Sequence, residues 1–153
     1  MRTRLARLFL ALAGLLAPGV AAAICNVIGP NLSFGSYDTL SAFGATTSGT
    51  ISITCDETPP PTVQVQVGPS TVSGGFQPRR MRHLAGTDTL AYNMYVDAAG
   101  TSIWGDGSAG TVTLSDRVQK NKPWLPTVYG RMPPGQDVTV GSYADAIAIT
   151  IIF

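Results

Sequence analysis

The stretch Gly141–Phe153, "GSYADAIAITIIF", decides the fold. From Ile147 onward Ile147, Ile149, Ile151 and Phe153 fall on one face, and Ala148, Thr150 and Ile152 on the other. A period of two marks a strand, not a helix. Both faces are largely apolar, so the strand is expected inside a sheet with cover above and below. No hairpin partner follows Phe153 in the sequence, which raises the question of what pairs with the far side of this strand.

Working back along the chain, the same period recurs in short segments. "GTISITC" sets Ile51, Ile53 and Cys55 opposite Ser52 and Thr54, and "PTVQVQVG" sets Val63, Val65 and Val67 opposite Gln64 and Gln66. "TLAYNMYVD" places Leu90, Tyr92, Met94 and Val96 on one side, while "GTVTLS" and "PTVYGRM" are shorter candidates. Between them stand Pro59 to Pro61, Gly74-Gly75, Gly105 and Gly107, and Pro133-Pro134-Gly135. Glycine accepts positive φ and proline presets φ near −65°, so these residues punctuate strands with turns. Short strands at close intervals predict an all-β sandwich or barrel. "NKPWLP", residues 121–126, reads as a surface loop.

The first residues belong to a different kind of segment. Arg2, Arg4 and Arg7 precede the apolar run Leu8–Leu16, and Ala21 to Ala23 supply the small residues a signal peptidase reads. Residues 1–23 are expected to be a cleaved signal peptide and 24–153 a single exported domain. Of the 10 Lys and Arg, the segment holds three, so 7 remain against 9 Asp and Glu, a formal −2. That leaves no basic excess to hold a phosphate backbone, which excludes nucleic acid as the expected partner. An even pair of cysteines in an exported chain predicts a Cys25–Cys55 disulfide.

Catalytic chemistry finds little to work with. His83 is the only histidine, and no G-x-S-x-G elbow occurs. Two cysteines and one distant histidine make a poor metal set. No enzyme activity, metal or cofactor is expected. Arg79, Arg80 and Arg82 form one basic cluster, read as a solvated edge or as a contact for an acidic surface. Trp104 and Trp124 would stack on sugar rings if exposed, or plug the end of a sandwich if not.

Several segments, in order, carry a resemblance: "CNVIGPNLSFGSYD" with Phe34-Gly35-x-Tyr37, "GTISITC", "RRMRHLAGTDTLAYNMYVDAAGTSIWGDG" and "VYGRMPPGQDVTVGSYADAIAITIIF". Together they resemble the spore coat protein U domain, which is also the subunit domain of archaic chaperone–usher pili. The resemblance implies an immunoglobulin-like β-sandwich lacking its final strand, completed by a strand from another chain. The implied acceptor groove is edged by Leu32 and Phe34 on one side and by Ile147, Ile149, Ile151 and Phe153 on the other. Implied partners are a periplasmic chaperone, an outer-membrane usher and other subunits, with passage through the periplasm to the cell surface. Cleavage after Ala23 would leave Ile24 alone before Cys25, too short for a donor strand of about 5–10 residues. The expectation is a strand acceptor at an end of a fibre, or else a stand-alone coat or adhesive protein that closes the groove by self-association.

Overall fold

A computed structural model describes residues 25–153; the expected signal peptide lies outside the described residues. Among the described residues ten strands form, all paired antiparallel. In chain order they are β1 (Cys25–Ile28), β2 (Ala45–Thr50), β3 (Ser52–Cys55), β4 (Thr62–Val67) and β5 (Arg79–His83), then β6 (Thr89–Tyr95), β7 (Leu114–Arg117), β8 (Thr127–Met132), β9 (Tyr143–Ala144) and β10 (Ile149–Ile152). One ladder runs β2-β8-β6-β5-β9, a second β10-β4-β7, and a third joins β1 to β3.

The alternation read from the sequence is what faces these sheets toward each other. Val63, Val65 and Val67 of β4 are buried, and so are Leu90, Tyr92 and Met94 of β6 and Val128 and Met132 of β8. Ile51 and Ile53 join them, and all belong to one continuous core. Each such side chain contributes roughly 1.5–3 kcal/mol through apolar burial. The disulfide is present between Cys25 and Cys55 and fastens β1 to β3 at their paired ends.

Four strands, β1, β2, β5 and β9, were not among the alternating segments read from the sequence. In β2, "ATTSGT", the inward positions are Ala45, Thr47 and Gly49, too small to register as an apolar face. Their smallness is filled by the irregular segment that follows β1. A Cβ on Gly49 would stand 2.6 Å from Pro30 Cβ and 2.8 Å from Leu32 Cδ2, and one on Gly130 would stand 2.8 Å from Phe34 Cζ. Glycine at both places lets residues 30–34 lie directly on the sheet. Strand β5 is the arginine cluster itself.

Three expectations need correction. The last strand is not covered on both faces: Ile147, Ile149 and Ile151 pack on the core, but Ala148 and Thr150 are exposed and Ile152 is 43% exposed. Residues 121–126 are not simply a loop. Trp124 exchanges both backbone hydrogen bonds with Ile53, at 3.0 and 2.8 Å, and so lines up along β3. Finally, Arg79 is not solvated: it sits fully buried at the start of β5. Its Nη2 donates to the carbonyls of Gly68 and Trp104 (both 2.8 Å) and Val67 (3.3 Å), and its Nη1 to Asn93 Oδ1 at 2.8 Å. The guanidinium thus ties β4 of one sheet to β6 of the other. Burial lowers its pKa to about 10, so it remains charged at neutral pH.

Candidate functional site

The chain after β9 changes sheets. Tyr143 and Ala144 pair with β5, whereas Ile149–Ile152 pair with β4. Between them Gly68 N–H donates to Ala148 O at 2.8 Å. In an antiparallel ladder the bonded positions alternate. With Ala148 bonded toward β4, Thr150 and Ile152 also turn their backbone groups to β4, and Ile149 and Ile151 turn theirs the other way. Among the described residues no strand lies on that other side, because β10 is the end of its ladder. An unpaired edge of this kind is a template for another strand.

Beside this edge lies a cavity of about 290 Å³. Leu32 and Phe34 form one wall, Ile147 and Ile149 the other. The core itself supplies the rest of the lining: Ile51, Val67, Met94 and Val128, with Met81 and Tyr92. Phe34 is held by an edge-on contact with the Tyr92 ring, with centroids 5.8 Å apart. Of the six residues expected to edge a groove, four therefore meet around one cavity. Ile151 continues the same half-buried row outside it, and Phe153, 59% exposed, extends past the last strand.

One end of the cavity is polar. Asp145 reaches it with Oδ2 accepting from Tyr92 Oη at 2.9 Å and Oδ1 accepting from Thr71 Oγ1 at 2.7 Å. Thr71 N and Ala146 N also donate to Oδ1, at 3.2 and 2.9 Å. Burial, reinforced by the hydrogen bond and charge of Asp145, pushes the Tyr92 hydroxyl well above the usual tyrosine range, so it stays a donor. Sequence reasoning passed over Asp145, although it stands two residues before Ile147 and so continues the inward alternation.

The site offers apolar pockets and hydrogen-bonding backbone, the means to bind an extended chain. The remaining sequence candidates lie elsewhere. Trp104 is 0% exposed, with Nε1 donating to Val65 O at 3.2 Å, so it is a core residue and presents no face to a sugar. That corrects its reading as a surface-binding residue; Trp124 is half-buried against the core. His83 is held by Val140 O at 3.2 Å and by the Tyr143 ring. Among the described residues, no three His, Cys, Asp or Glu side chains group as metal ligands.

Comparison with known proteins agrees with this architecture. Protein U of Myxococcus xanthus is 35% identical over 133 residues, covering 82% of this chain and 73% of that protein. Among solved structures, the CsuC–CsuE chaperone–tip adhesion subunit pre-assembly complex from archaic chaperone–usher Csu pili of Acinetobacter baumannii contains a similar chain. The TM-score is 0.59 at 15% identity, over 86% of this chain and 40% of that one. The P pilus rod subunit PapA is similar at TM-score 0.54 and 17% identity, over 84% of this chain and 97% of its own. At such identities these structures speak for the fold, an all-β immunoglobulin-like sandwich. The Spore Coat Protein U domain model matches residues 12–150, nearly the whole sequence, and the chain belongs to that family.

Proposed function

We propose that this protein is a non-enzymatic structural subunit of a surface fibre that takes a strand from another polypeptide along β10. The observation that carries the reading is the outward-turned backbone of Ile149 and Ile151 beside an apolar cavity walled by Leu32, Phe34 and Ile147. An added strand would satisfy those backbone groups and fill the cavity with alternate side chains, each contributing roughly 1.5–3 kcal/mol. The similar chain in the chaperone–tip adhesion subunit complex supports a periplasmic chaperone as one partner; on the same reading an outer-membrane usher and neighbouring subunits are the others. The protein then travels through the periplasm to the cell surface, with the signal peptide removed after Ala23.

A second reading has one specific support, the 35% identity to Protein U, well above the identity to either pilus chain. In a stand-alone coat protein the same edge would be closed by a second copy. One experiment separates them. The mature protein is purified alone and then with an alternating apolar peptide, and its oligomeric state and unfolding are measured. A fibre subunit is unstable or multimeric alone and becomes a stable monomer with peptide; a discrete dimer indifferent to peptide supports the coat reading. A stable monomer that ignores the peptide removes both.

A further inference from the structure

The groove is not apolar along its whole length. Residues Asp145, Ile147, Ile149 and Ile151 all point inward at intervals of two, and their outward neighbours Ala146, Ala148 and Thr150 are exposed. A strand laid against this segment therefore meets three isoleucines and then a carboxylate. Asp145 is anchored, with three donors on Oδ1, but Oδ2 accepts only from Tyr92 and retains acceptor capacity toward the cavity it lines. The nearby cation Arg79 spends its hydrogen bonds on Gly68, Val67, Trp104 and Asn93. No described side chain neutralises Asp145 by direct donation from a cation.

We propose that Asp145 selects the occupant of the groove. The incoming strand carries aliphatic side chains at three alternate positions and a cationic side chain at the fourth, facing Asp145. An aliphatic group there would cover the remaining acceptor capacity of Oδ2 without supplying a donor, and an acidic group would add like-charge repulsion. A lysine or arginine supplies a charge-assisted hydrogen bond to Oδ2 and keeps its aliphatic stem on the groove. This rests on the strand-acceptor reading above and adds the chemistry of the partner.

The test uses synthetic peptides with leucine at three alternate positions, threonine between them, and lysine, leucine or glutamate at the fourth. Each is made with the variable residue at either end, and binding to the mature, disulfide-bonded protein is measured by titration calorimetry. The lysine peptide is expected to bind at least about tenfold more tightly than the glutamate peptide, with leucine between, the scale of one hydrogen bond to a charged group. In Asp145→Asn the lysine-to-glutamate ratio should fall below about threefold. Equal binding of the three peptides to the unaltered protein overturns the selection by Asp145 while leaving the groove as a strand acceptor. A ratio unchanged in Asp145→Asn overturns it as well. If none of the peptides binds, the acceptor reading falls and this inference with it.

Discussion

Replacing Arg79 with methionine tests whether the buried guanidinium holds the two sheets together. The substitution keeps an unbranched apolar stem and removes the charge and donors. Three backbone carbonyls, of Val67, Gly68 and Trp104, lose their partner around a side chain that is itself fully buried. At about 2 kcal/mol for each buried unsatisfied acceptor, the loss is about 6 kcal/mol. Against this stands relief of the buried charge. The fall of the Arg79 pKa from 12.5 to about 10 corresponds to about 3 kcal/mol of desolvation, fully present at neutral pH because both states are protonated there. The net destabilisation is about 3 kcal/mol, a large fraction of a domain's stability. Urea unfolding of the disulfide-bonded protein at pH 7, followed by tryptophan fluorescence, gives the number directly; Trp104 is itself one of the released partners. Arg79→Lys should fall between the two, since one ammonium cannot span acceptors on both sheets. A stability within about 0.5 kcal/mol of the unaltered protein for Arg79→Met would refute the reasoning.

Other consequences are open to equally simple measurement. Reducing the Cys25–Cys55 bond, or replacing both cysteines with serine, should lower stability by about 3–4 kcal/mol for a closed loop of this separation, and a change under 1 kcal/mol would contradict it. Gly130→Val should disrupt the seat of Phe34, since the new Cβ would stand 2.7 Å from Thr47 Cγ2 and 2.8 Å from Phe34 Cζ; thermal unfolding should shift downward by several degrees. Asp97 is held below the usual carboxylate range by the Thr101 and Ser102 amides, and Asp88 by the Thr139 hydroxyl and amide. Both carboxylates are more acidic folded than unfolded, so their contribution is whole above about pH 4 and is lost as pH falls through their folded values. Acid titration of stability should therefore be flatter in Asp97→Asn; an unchanged slope would contradict the assignment.

The legible parts of the fold were those in which local alternation and burial coincide. In β4 the valines and glutamines sort themselves by period alone, and the sheet keeps that sorting. Strand β2 was invisible because its inward face is small, and its packing surface is supplied by Pro30, Leu32 and Phe34 from elsewhere in the chain. Nothing local distinguishes Arg79 from Arg80 or Arg82. What buries it is a set of carbonyls from Val67, Gly68 and Trp104, brought to it by the fold. Trp104 was ambiguous for the same reason, since its indole partner Val65 lies on a distant strand. One wall of the groove was readable from the isoleucines of the last strand, and the opposite wall at Leu32 and Phe34 came from family resemblance. Asp145 follows the same alternation, but as a charged residue it stands outside the apolar run that begins at Ile147, and its partners Tyr92 and Thr71 come from elsewhere in the chain.

Amide hydrogen exchange on β10 tests the central claim most directly. In the mature protein alone, the amides of Ile149 and Ile151 should exchange rapidly while those of Thr150 and Ile152, bonded to β4, are protected. Adding an alternating apolar strand should slow Ile149 and Ile151 and leave the other two little changed. Slow exchange at Ile149 and Ile151 in a lone monomer would mean the edge is already paired, and would contradict the account.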